Sequence, residues 1–412
     1  MREPLRANGE RLWSSLMEMA AIGATAKGGV CRLALTDFDR QARDLFVRWG
    51  RECGCEVDVD AIGNIFVRRP GRDRGQPSVL IGSHLDTQPT GGKFDGVYGV
   101  MAALEIVRTL NDHGIETLAP IEAVSWTNEE GSRFAPPMTG SGVFAGEFEL
   151  EEMLAVTGQD SVTIGEELAR IGYSGESTNS NRALNCFLEL HIEQGPVLEN
   201  EGLQIGIVTH AQGQVGFEVF VKGVEGHSGT LPMPMRHDAL VAAAQMVTCV
   251  EEIAKSHAPR AVGTVGVLNT LPNSRTTIPG YAEFTIDLRH PDDATLTAME
   301  ADVHSALVDI AEKRGIDIEV RRHWRREPQL FDTDCVELLR QAAALAKYEA
   351  REMISGAGHD ACYLNKVTPT AMIFVPCKNG ISHNESEYAT PENLAAGCDV
   401  LLTAVLLRAG RV

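Results

Sequence analysis

Five side chains of the types that bind divalent metal ions are spread widely along the chain. His84, Glu130, His191 and His383 lie at or beyond the ends of four apolar β-rich runs, and Asp95 lies at the start of a helical pattern. Imidazole nitrogens and carboxylate oxygens together suit zinc, and the same set accepts manganese, cobalt or nickel. Five donor side chains are more than one four-coordinate metal site can use. They predict two divalent metal ions per subunit, bridged by Asp95 and a water.

Two further carboxylates accompany these donors. Glu129 precedes Glu130, and if Glu130 faces a metal ion, the Glu129 carboxylate can take a proton from the bridging water. Glu129 is therefore the candidate general base. Asp86 follows His84 by two residues and could accept a hydrogen bond from that imidazole or from a neighbouring ligand, fixing its tautomer and orientation.

A structural explanation exists for each of these residues taken singly. A histidine at a strand end is more often a hydrogen-bonded core or surface residue than a ligand, and adjacent glutamates are usually solvated. The repetition of ligand-type side chains at four strand ends, in loops rich in glycine or containing asparagine, favours the metal site.

The elements that must position these residues follow an α/β pattern. Short apolar runs predict buried strands, and Val97 to Leu110 recur at helical spacing after the glycine-rich stretch 91–99. In open α/β sheets the carboxyl ends of strands form the binding crevice, so we expect the donors to converge there. The strands are predicted at 78–83, 121–127, 186–192 and 371–376.

The middle of the chain has a different order, βαββαβ. Ala282, Phe284, Ile286 and Leu288 alternate with polar residues, so one face of that strand should pack against helices. This order predicts a ferredoxin-like module. Strands are predicted at 217–222, 262–268, 281–289 and 316–321, and helices at 238–255 and 294–314.

The sequence thus predicts a two-domain α/β protein with a discontinuous catalytic domain. Residues 1–213 and 328–412 would form that domain around a mixed sheet, with 214–327 inserted as the second domain. A chain of 412 residues exceeds what one hydrophobic core usually supports, which agrees with two domains.

Composition excludes several classes of function. The 37 Lys and Arg residues against 57 Asp and Glu give a net charge of -20, which disfavours nucleic acid and anionic membranes as partners. The N-terminus lacks a signal-peptide apolar core and no apolar run could span a bilayer, so we expect a cytoplasmic protein. Nine cysteines without paired Cys-x-x-Cys units indicate free thiols.

Seven short strings are spread along the chain: GSHLDT at 82–87, GGKFDG at 91–96, TNEEG at 127–131, LHIEQGP at 190–196, GHSGT at 226–230, SGAGHDA at 355–361 and GISHNE at 380–385. Together they resemble the amidase/hydantoinase/carbamoylase branch of the M20 metallopeptidase superfamily. That branch includes N-carbamoyl-L-amino acid amidohydrolases, β-ureidopropionases and allantoate amidohydrolases. The resemblance runs nearly end to end.

The resemblance implies the same metal ligands, the same bridging Asp95 and the same general base Glu129. It also implies that the inserted domain is a lid that forms a homodimer, with His227 acting across the dimer to bind substrate and stabilise an oxyanion. Arg289 matches an arginine that clamps the substrate carboxylate, and its planar guanidinium suits bidentate binding. Gln194 and the backbone of Gly358 correspond to further substrate contacts.

Some of these residues have simpler explanations. His227 could be an ordinary turn histidine, and Arg289 a solvated charge on a strand face. His359 and Asp360 share the Gly358 loop and are interpreted as positioning residues more than ligands.

One position departs from the family pattern. Thr276 stands where the family has an asparagine that helps to hold the substrate carboxylate. A threonine hydroxyl can donate one hydrogen bond but reaches less far than a carboxamide. The carboxylate pocket is therefore expected to differ in size or specificity.

These features predict a metal-dependent amidohydrolase that cleaves a linear ureido C–N bond. The expected reaction converts an N-carbamoyl-L-amino acid to the amino acid, carbon dioxide and ammonia. An allantoate or related ureide amidohydrolase and a β-ureidopropionase share every residue above. A peptidase or aminoacylase of the M20 type and a non-catalytic metal-binding scaffold are the remaining alternatives, although Glu129 argues against a scaffold.

Overall fold

A computed structural model describes residues 4–158, 160–177 and 182–412. The chain divides into two compact units, and the first consists of two separate segments. Unit 1 spans Met1–Thr209 and Phe331–Val412, and unit 2 spans His210–Leu330.

Unit 1 is built around a large mixed sheet. Its strands are β1 (Glu56–Val59), β2 (Ile65–Arg69), β3 (Ser78–His84), β4 (Ile121–Trp126), β5 (Leu184–Ile192), β6 (Ile205–Ala211), β15 (Ala350–Ser355) and β16 (Thr370–Val375). They lie in the order β1-β2-β4-β3-β5-β16-β6, and β15 also pairs with β6. The short strand β14 (Gln329–Leu330) pairs with His210 and Ala211, the last two residues of β6, which like β14 belong to unit 2.

The four central strands β4, β3, β5 and β16 are parallel, and their neighbours β2 and β6 are antiparallel to them. The carboxyl ends of the parallel strands therefore share one edge of the sheet. The four predicted strands in this region are all confirmed, with end residues shifted by no more than two.

Helices cover the sheet of unit 1. They are α1 (Gly9–Ala20), α2 (Asp37–Glu52), α3 (Val97–Asp112), α4 (Thr139–Phe144), α5 (Leu150–Leu154), α6 (Ile164–Ile171), α7 (Val197–Glu201), α10 (Thr333–Leu345), α11 (Ala361–Leu364) and α12 (Pro391–Ala409). Helix α3 follows the glycine-rich stretch as predicted and is buried along most of its length. Within the described part of the chain, no helix is long and apolar enough to cross a membrane.

Unit 2 contains an antiparallel sheet packed against two long helices. Its elements are β7 (Gly213–Lys222), β8 (Gly226–His227), α8 (Ala239–Ser256), β9 (Val262–Thr264), β10 (Leu268–Leu271), β11 (Thr277–Ile278), β12 (Tyr281–His290), α9 (Asp293–Arg314) and β13 (Asp317–Arg326). The strand order is β10-β12-β7-β13, and β9 pairs with β12. Strand β12 alternates between half-buried and buried residues as predicted, with Phe284 and Leu288 inside the core.

The single strand predicted at 262–268 is wrong, because the structure divides it into β9 and β10. Thr264 pairs with Asp287, and Leu268 pairs with Phe284. The segment from Thr264 to Leu268 therefore contains one residue more than the segment of β12 from Phe284 to Asp287. An extra residue interrupts the ladder as a β-bulge does. Strand β13 is also longer than predicted and continues to Arg326.

Candidate metal centre and substrate residues

The predicted metal ligands converge at the carboxyl edge of the parallel strands. His84 is the last residue of β3, and His191 is the penultimate residue of β5. Glu130 lies in the loop after β4, and His383 lies in the loop after β16. Asp95 lies just before α3 in the loop that leaves the β3 edge. His84, Asp95 and His191 are buried, whereas the His383 side chain is half exposed.

These five side chains form two groups of three that share Asp95. His84, Asp95 and His191 form one group, and Asp95, Glu130 and His383 form the other. Asp95 Oδ1 lies 3.0 Å from His191 Nε2 and 3.8 Å from His84 Nε2. Its other oxygen, Oδ2, lies 3.3 Å from His383 Nε2, which is 3.5 Å from Glu130 Oε2. Each oxygen of one carboxylate therefore faces a different group.

The imidazole of His84 is oriented as a metal ligand requires. Its Nδ1 lies 3.0 Å from the carbonyl oxygen of Asp86, which can only accept, so Nδ1 carries the proton. Burial lowers the pKa of His84 to about 4, so the ring is neutral at pH 7. The lone pair on Nε2 then faces carboxylate oxygens of Asp95 and Glu129, at 3.8 and 3.5 Å. That contact is repulsive unless a cation lies between them.

His191 is held in a similar way. Its Nδ1 lies 2.9 Å from the carbonyl oxygen of Ile192, and its Nε2 lies 3.1 Å from the Gly96 amide nitrogen. Burial lowers the pKa of His191, but the hydrogen bond and charge of Asp95 outweigh it and raise the pKa to about 9. The Nε2 position beside Asp95 therefore has a strong preference for a positive charge, which a proton or a metal ion can supply.

Glu129 lies beside these groups without belonging to either. Its Oε2 is 3.5 Å from His84 Nε2, and the side chain is largely buried. Burial, followed by repulsion from Asp360 and Glu130, raises the pKa of Glu129 well above its usual value. A carboxylate in this environment is a stronger base than one in water, which suits the predicted role in proton transfer.

Asp86 orients the loop of Glu129 and Glu130 instead of the His84 ring. Its carboxylate accepts the N–H of Glu129 at 3.2 Å and the N–H of Glu130 at 3.1 Å. The nearest carboxylate oxygen is 3.8 Å from His84 Nδ1, too far for a hydrogen bond. The predicted contact with the imidazole is therefore made by the Asp86 carbonyl, and the carboxylate instead fixes the backbone that carries Glu130.

Gln194 lies beside Asp95. Its Nε2 donates to Asp95 Oδ2 at 2.9 Å and also approaches Ser382 Oγ at 3.2 Å. Gln194 lies just after β5 and has a positive φ of 56°. Within the described residues, its Oε1 is buried and has no hydrogen-bond partner. Gln194 therefore contacts the carboxylate of Asp95, the predicted bridge between the two groups.

Two predicted substrate residues of unit 2 lie together on the short ribbon of β8 and β11. His227 pairs with Thr277, and the N–H of Ser228 donates to the Thr276 carbonyl at 3.0 Å. His227 Nδ1 accepts the N–H groups of Gly229 and Thr230, at 3.0 and 3.2 Å. The neutral ring therefore carries its proton on Nε2. Because His227 is exposed, this N–H can donate to another molecule.

Arg289 lies elsewhere in unit 2, near the opposite end of β12. Its Nε and Nη2 donate to the two carboxylate oxygens of Asp287, at 2.8 and 2.9 Å. The Arg289 guanidinium thus forms a bidentate ion pair with Asp287, which holds it in one orientation. In the sheet Arg289 pairs with Gln214, which lies near the start of unit 2.

The loop after β15 contains the remaining predicted residues. Gly358 is half-buried there, and the neighbouring His359 stacks edge-on against His191, with ring centroids 4.7 Å apart. His359 Nε2 lies 3.0 Å from Ser355 Oγ, and Asp360 binds Ser141 Oγ. Neither His359 nor Asp360 belongs to the two metal-ligand groups, which agrees with a positioning role.

Sequence reasoning missed two buried carboxylates behind the metal ligands. Glu189, two residues before His191, accepts Ser83 Oγ at 2.7 Å and the Ala361 N–H at 2.9 Å. Glu387 binds the loop of Asp95. Glu189 could have been found as a charged residue inside an apolar strand. Glu387 could not be distinguished from Glu385 by its position after His383.

Comparisons with known proteins agree with this geometry. The sequence model of Peptidase family M20/M25/M40 matches residues 80–407. An N-carbamoyl-L-amino-acid amidohydrolase of Rhizobium meliloti is 48% identical, over 98% of this chain and 97% of that protein. A ureidoglycolate hydrolase of Oryza sativa subsp. japonica is 34% identical, over 98% of this chain and 85% of that protein.

A solved structure is also similar over the full chain. The crystal structure of an amidase of the hydantoinase/carbamoylase family from Burkholderia multivorans is 55% identical and has a TM-score of 0.93. The match covers 98% of this chain and 98% of that chain.

Proposed function

The chain belongs to Peptidase family M20/M25/M40, among its hydantoinase/carbamoylase amidases, and on that premise we propose that it hydrolyses N-carbamoyl-L-amino acids. The balanced reaction is R–NH–CO–NH2 + H2O → R–NH2 + CO2 + NH3. The observation that carries this proposal is the pair of ligand groups sharing Asp95, with the Glu129 carboxylate beside them but in neither group.

The residues present fit two divalent metal ions. His84 and His191 would hold one ion, Glu130 and His383 the other, and Asp95 would bind both. The fixed Nδ1 protons of His84 and His191 direct their Nε2 atoms toward Asp95, as ligation requires. When bound, the metal pair would act as a Lewis acid toward water and the ureido carbonyl. Zinc, manganese, cobalt and nickel all suit this donor set.

Glu129 would transfer the proton in this reaction. Its buried carboxylate would take a proton from the attacking water and later deliver it to the leaving nitrogen. Burial and the neighbouring carboxylates raise the pKa of Glu129, which makes its carboxylate a stronger base toward the attacking water. His227 would donate its Nε2 proton in a hydrogen bond to the developing oxyanion.

We place the substrate carboxylate at Arg289, which Asp287 holds in a fixed orientation. A planar guanidinium can bind a carboxylate through two hydrogen bonds. Thr276, at the usual asparagine position and adjacent to Ser228, would supply one hydroxyl near His227. Gln194 and the Gly358 backbone would contact the substrate beside the metal ions. These assignments follow from the family pattern together with the local geometry of each residue.

We propose that unit 2 is a ferredoxin-like lid through which two copies of the chain form a dimer. Arg289 is eight residues along β12 from Tyr281, which corresponds to a strand length of about 26 Å. Tyr281 pairs with Lys222, and His227 follows Lys222 by five residues, so His227 belongs to the Tyr281 end of this strand. This span exceeds the length of a carbamoyl amino acid. A homodimer explains the separation, because His227 of one lid would then serve the metal ions of the partner chain.

The free edge of the unit 2 sheet supports this dimer. Strand β10 lies at that edge, and its Leu268 and Leu271 side chains are 42% and 57% exposed. Leu240 and Val241 at the start of α8 are also exposed. An edge strand with exposed apolar side chains is a template for pairing with another strand, and a second copy would cover it.

The substrate test uses metal-stripped protein refilled with Mn, Co, Ni or Zn. Ammonia release is measured with N-carbamoyl-L-amino acids, N-carbamoyl-β-alanine, allantoate, ureidoglycolate and dipeptides, and Glu129→Gln is the control. We expect metal-dependent turnover of an N-carbamoyl-L-amino acid, reduced by about 10²- to 10⁴-fold in Glu129→Gln. Turnover of ureides or dipeptides alone would assign the protein to that class instead, and equal rates for both proteins would contradict the role of Glu129.

A further inference from the structure

We propose that Glu387 is a positioning residue that joins the two metal-bearing loops and sets the affinity of the site for divalent metal ions. The inference rests on the proposed metal-dependent function, and it adds a residue that is neither a ligand nor a substrate contact. Glu387 is 4% exposed and lies four residues after His383, in the loop between β16 and α12.

One carboxylate oxygen of Glu387 binds the backbone of the bridging residue. Its Oε1 accepts the N–H of Phe94 at 2.9 Å and the N–H of Asp95 at 3.1 Å. These two amides immediately precede α3, where the backbone turns from the glycine-rich loop into the helix. Two consecutive amides that donate to one carboxylate oxygen fix the position of the Asp95 main chain.

The other oxygen acts through Ser382. Ser382 Oγ lies 2.8 Å from Glu387 Oε2 and 2.9 Å from Asp95 Oδ2. Ser382 is also the residue immediately before His383. The Glu387 carboxylate therefore binds the main chain of Asp95 directly. Through the Ser382 hydroxyl it is also linked to the Asp95 side chain and to the segment that carries His383. Hydrogen bonds of this kind behind the ligands commonly contribute roughly 10- to 100-fold in metal affinity.

The opposite loop leaves room for this carboxylate at Gly92. A Cβ atom at Gly92 would lie 2.1 Å from Glu387 Oε1, 2.2 Å from its Cδ and 2.4 Å from its Cβ. Real Cβ atoms do not approach other atoms so closely, so an alanine at this position would displace Glu387. Gly92→Ala is thus a second way to disturb the same contact without changing the carboxylate.

The experiment measures Co²⁺ binding to the metal-stripped full-length protein by calorimetry and by the visible absorption of bound Co²⁺. We expect Glu387→Ala to bind Co²⁺ about 10- to 100-fold more weakly, with altered absorption. Glu387→Gln keeps an acceptor for the two amides and should lose less affinity. Gly92→Ala should resemble Glu387→Ala. Binding is measured well below the melting temperature of each variant, so that loss of folding does not contribute.

Glu385→Gln is the matched control. Glu385 lies in the same loop, but its carboxylate accepts from Thr25 Oγ1 and pairs with Lys27, and neither contact reaches Asp95. We expect its Co²⁺ affinity to equal that of the natural protein. Equal affinities in the natural protein, Glu387→Ala and Gly92→Ala would overturn the inference, as would a natural protein that binds no Co²⁺. If the variants lose affinity as expected but the natural protein hydrolyses none of the ureido substrates, the proposed function is refuted and the inference about Glu387 stands.

Discussion

Gly96 lies in direct contact with the imidazole of His84. A Cβ atom at this position would be 2.2 Å from His84 Cε1 and 2.3 Å from Nε2, and the residue has a φ of 65°. Its amide nitrogen also lies 3.1 Å from His191 Nε2. A glycine is therefore required here both for the backbone conformation and for the approach of a metal ligand.

We expect Gly96→Ala to weaken metal binding by at least about 10-fold, because the methyl group would displace the His84 ring from its ligating position. The backbone conformation of Gly96, with φ 65° and ψ -51°, should also cost an alanine about 1–3 kcal/mol of folding stability. Metal affinity is measured by calorimetry and stability by urea unfolding of the metal-free protein.

Gly146→Ala separates these two effects. Gly146 has a φ of 75°, and among the described residues no atom beyond its own chain neighbours would lie within 4 Å of an added Cβ. The substitution therefore carries the conformational cost without the contact. Its stability should fall by a similar amount, and its metal affinity should be unchanged. Unchanged metal affinity in Gly96→Ala would show that His84 can move without loss of ligation.

At the scale of elements, a buried ion pair holds α2 against the strands that lead to the site. Arg43 and Asp39 are one turn apart on α2, both fully buried, with 2.8 Å between Nε and Oδ2. Arg43 Nη1 also donates to the Gly63 carbonyl and Nη2 to Thr127 Oγ1, two residues before Glu129. The helix therefore braces the loop that carries Glu129, the proposed general base.

We expect Arg43→Met to destabilise the protein by about 3–5 kcal/mol, because Asp39 would be left as an uncompensated buried charge. Urea unfolding followed by circular dichroism measures this change. The double variant Asp39→Asn/Arg43→Met should lose less than the sum of the two single losses. Strict additivity would mean that the two side chains do not interact.

Arg40→Gln on the same helix is the comparison for this experiment. Arg40 pairs with Asp44 at 3.8 Å, but both side chains are more than half exposed. Exposed pairs contribute little, so its stability should change by less than about 1 kcal/mol. A loss as large as that of Arg43→Met would indicate that burial is not the cause.

Metal binding should stabilise the folded molecule as a whole. Buried carboxylates of Asp95 and Glu130 and the imidazoles of His84 and His191 share one small volume, where a cation relieves their mutual repulsion. With free metal at about 100 times its dissociation constant, binding adds about 2.7 kcal/mol. We expect chelation to lower the melting temperature in calorimetry and metal to restore it, with a smaller change in Gly96→Ala. No change on chelation would contradict the metal site.

The proposed dimer predicts that two inactive variants regain activity when they are mixed. Glu129→Gln and His227→Ala chains should each be inactive, because each lacks one catalytic group. If His227 serves the partner's metal ions, a mixed dimer has one complete site. Refolding an equal mixture should then restore about a quarter of the natural activity, since about half of the dimers are mixed and each has one working site. Activity that stays absent after mixing would place His227 in the site of its own chain.

The sequence determined which residues can bind metal ions and which elements carry them. Donor types at successive strand ends are local features, and the alternation in β12 follows from the two-residue period of a strand. Because parallel strands share one carboxyl edge, these local features were sufficient to predict the convergence of His84, Glu130 and His191.

Only the tertiary structure decided which polar side chains contact one another. Glu385 and Glu387 are alike in sequence, yet one binds Thr25 and the other the backbone of Asp95. Asp86 contacts the loop of Glu129 through its carboxylate, and Arg289 pairs with Asp287. The physical reason is that a hydrogen bond requires donor and acceptor to lie about 3 Å apart, within a few tenths of an ångström, and no local pattern encodes the distance between segments far apart in the chain.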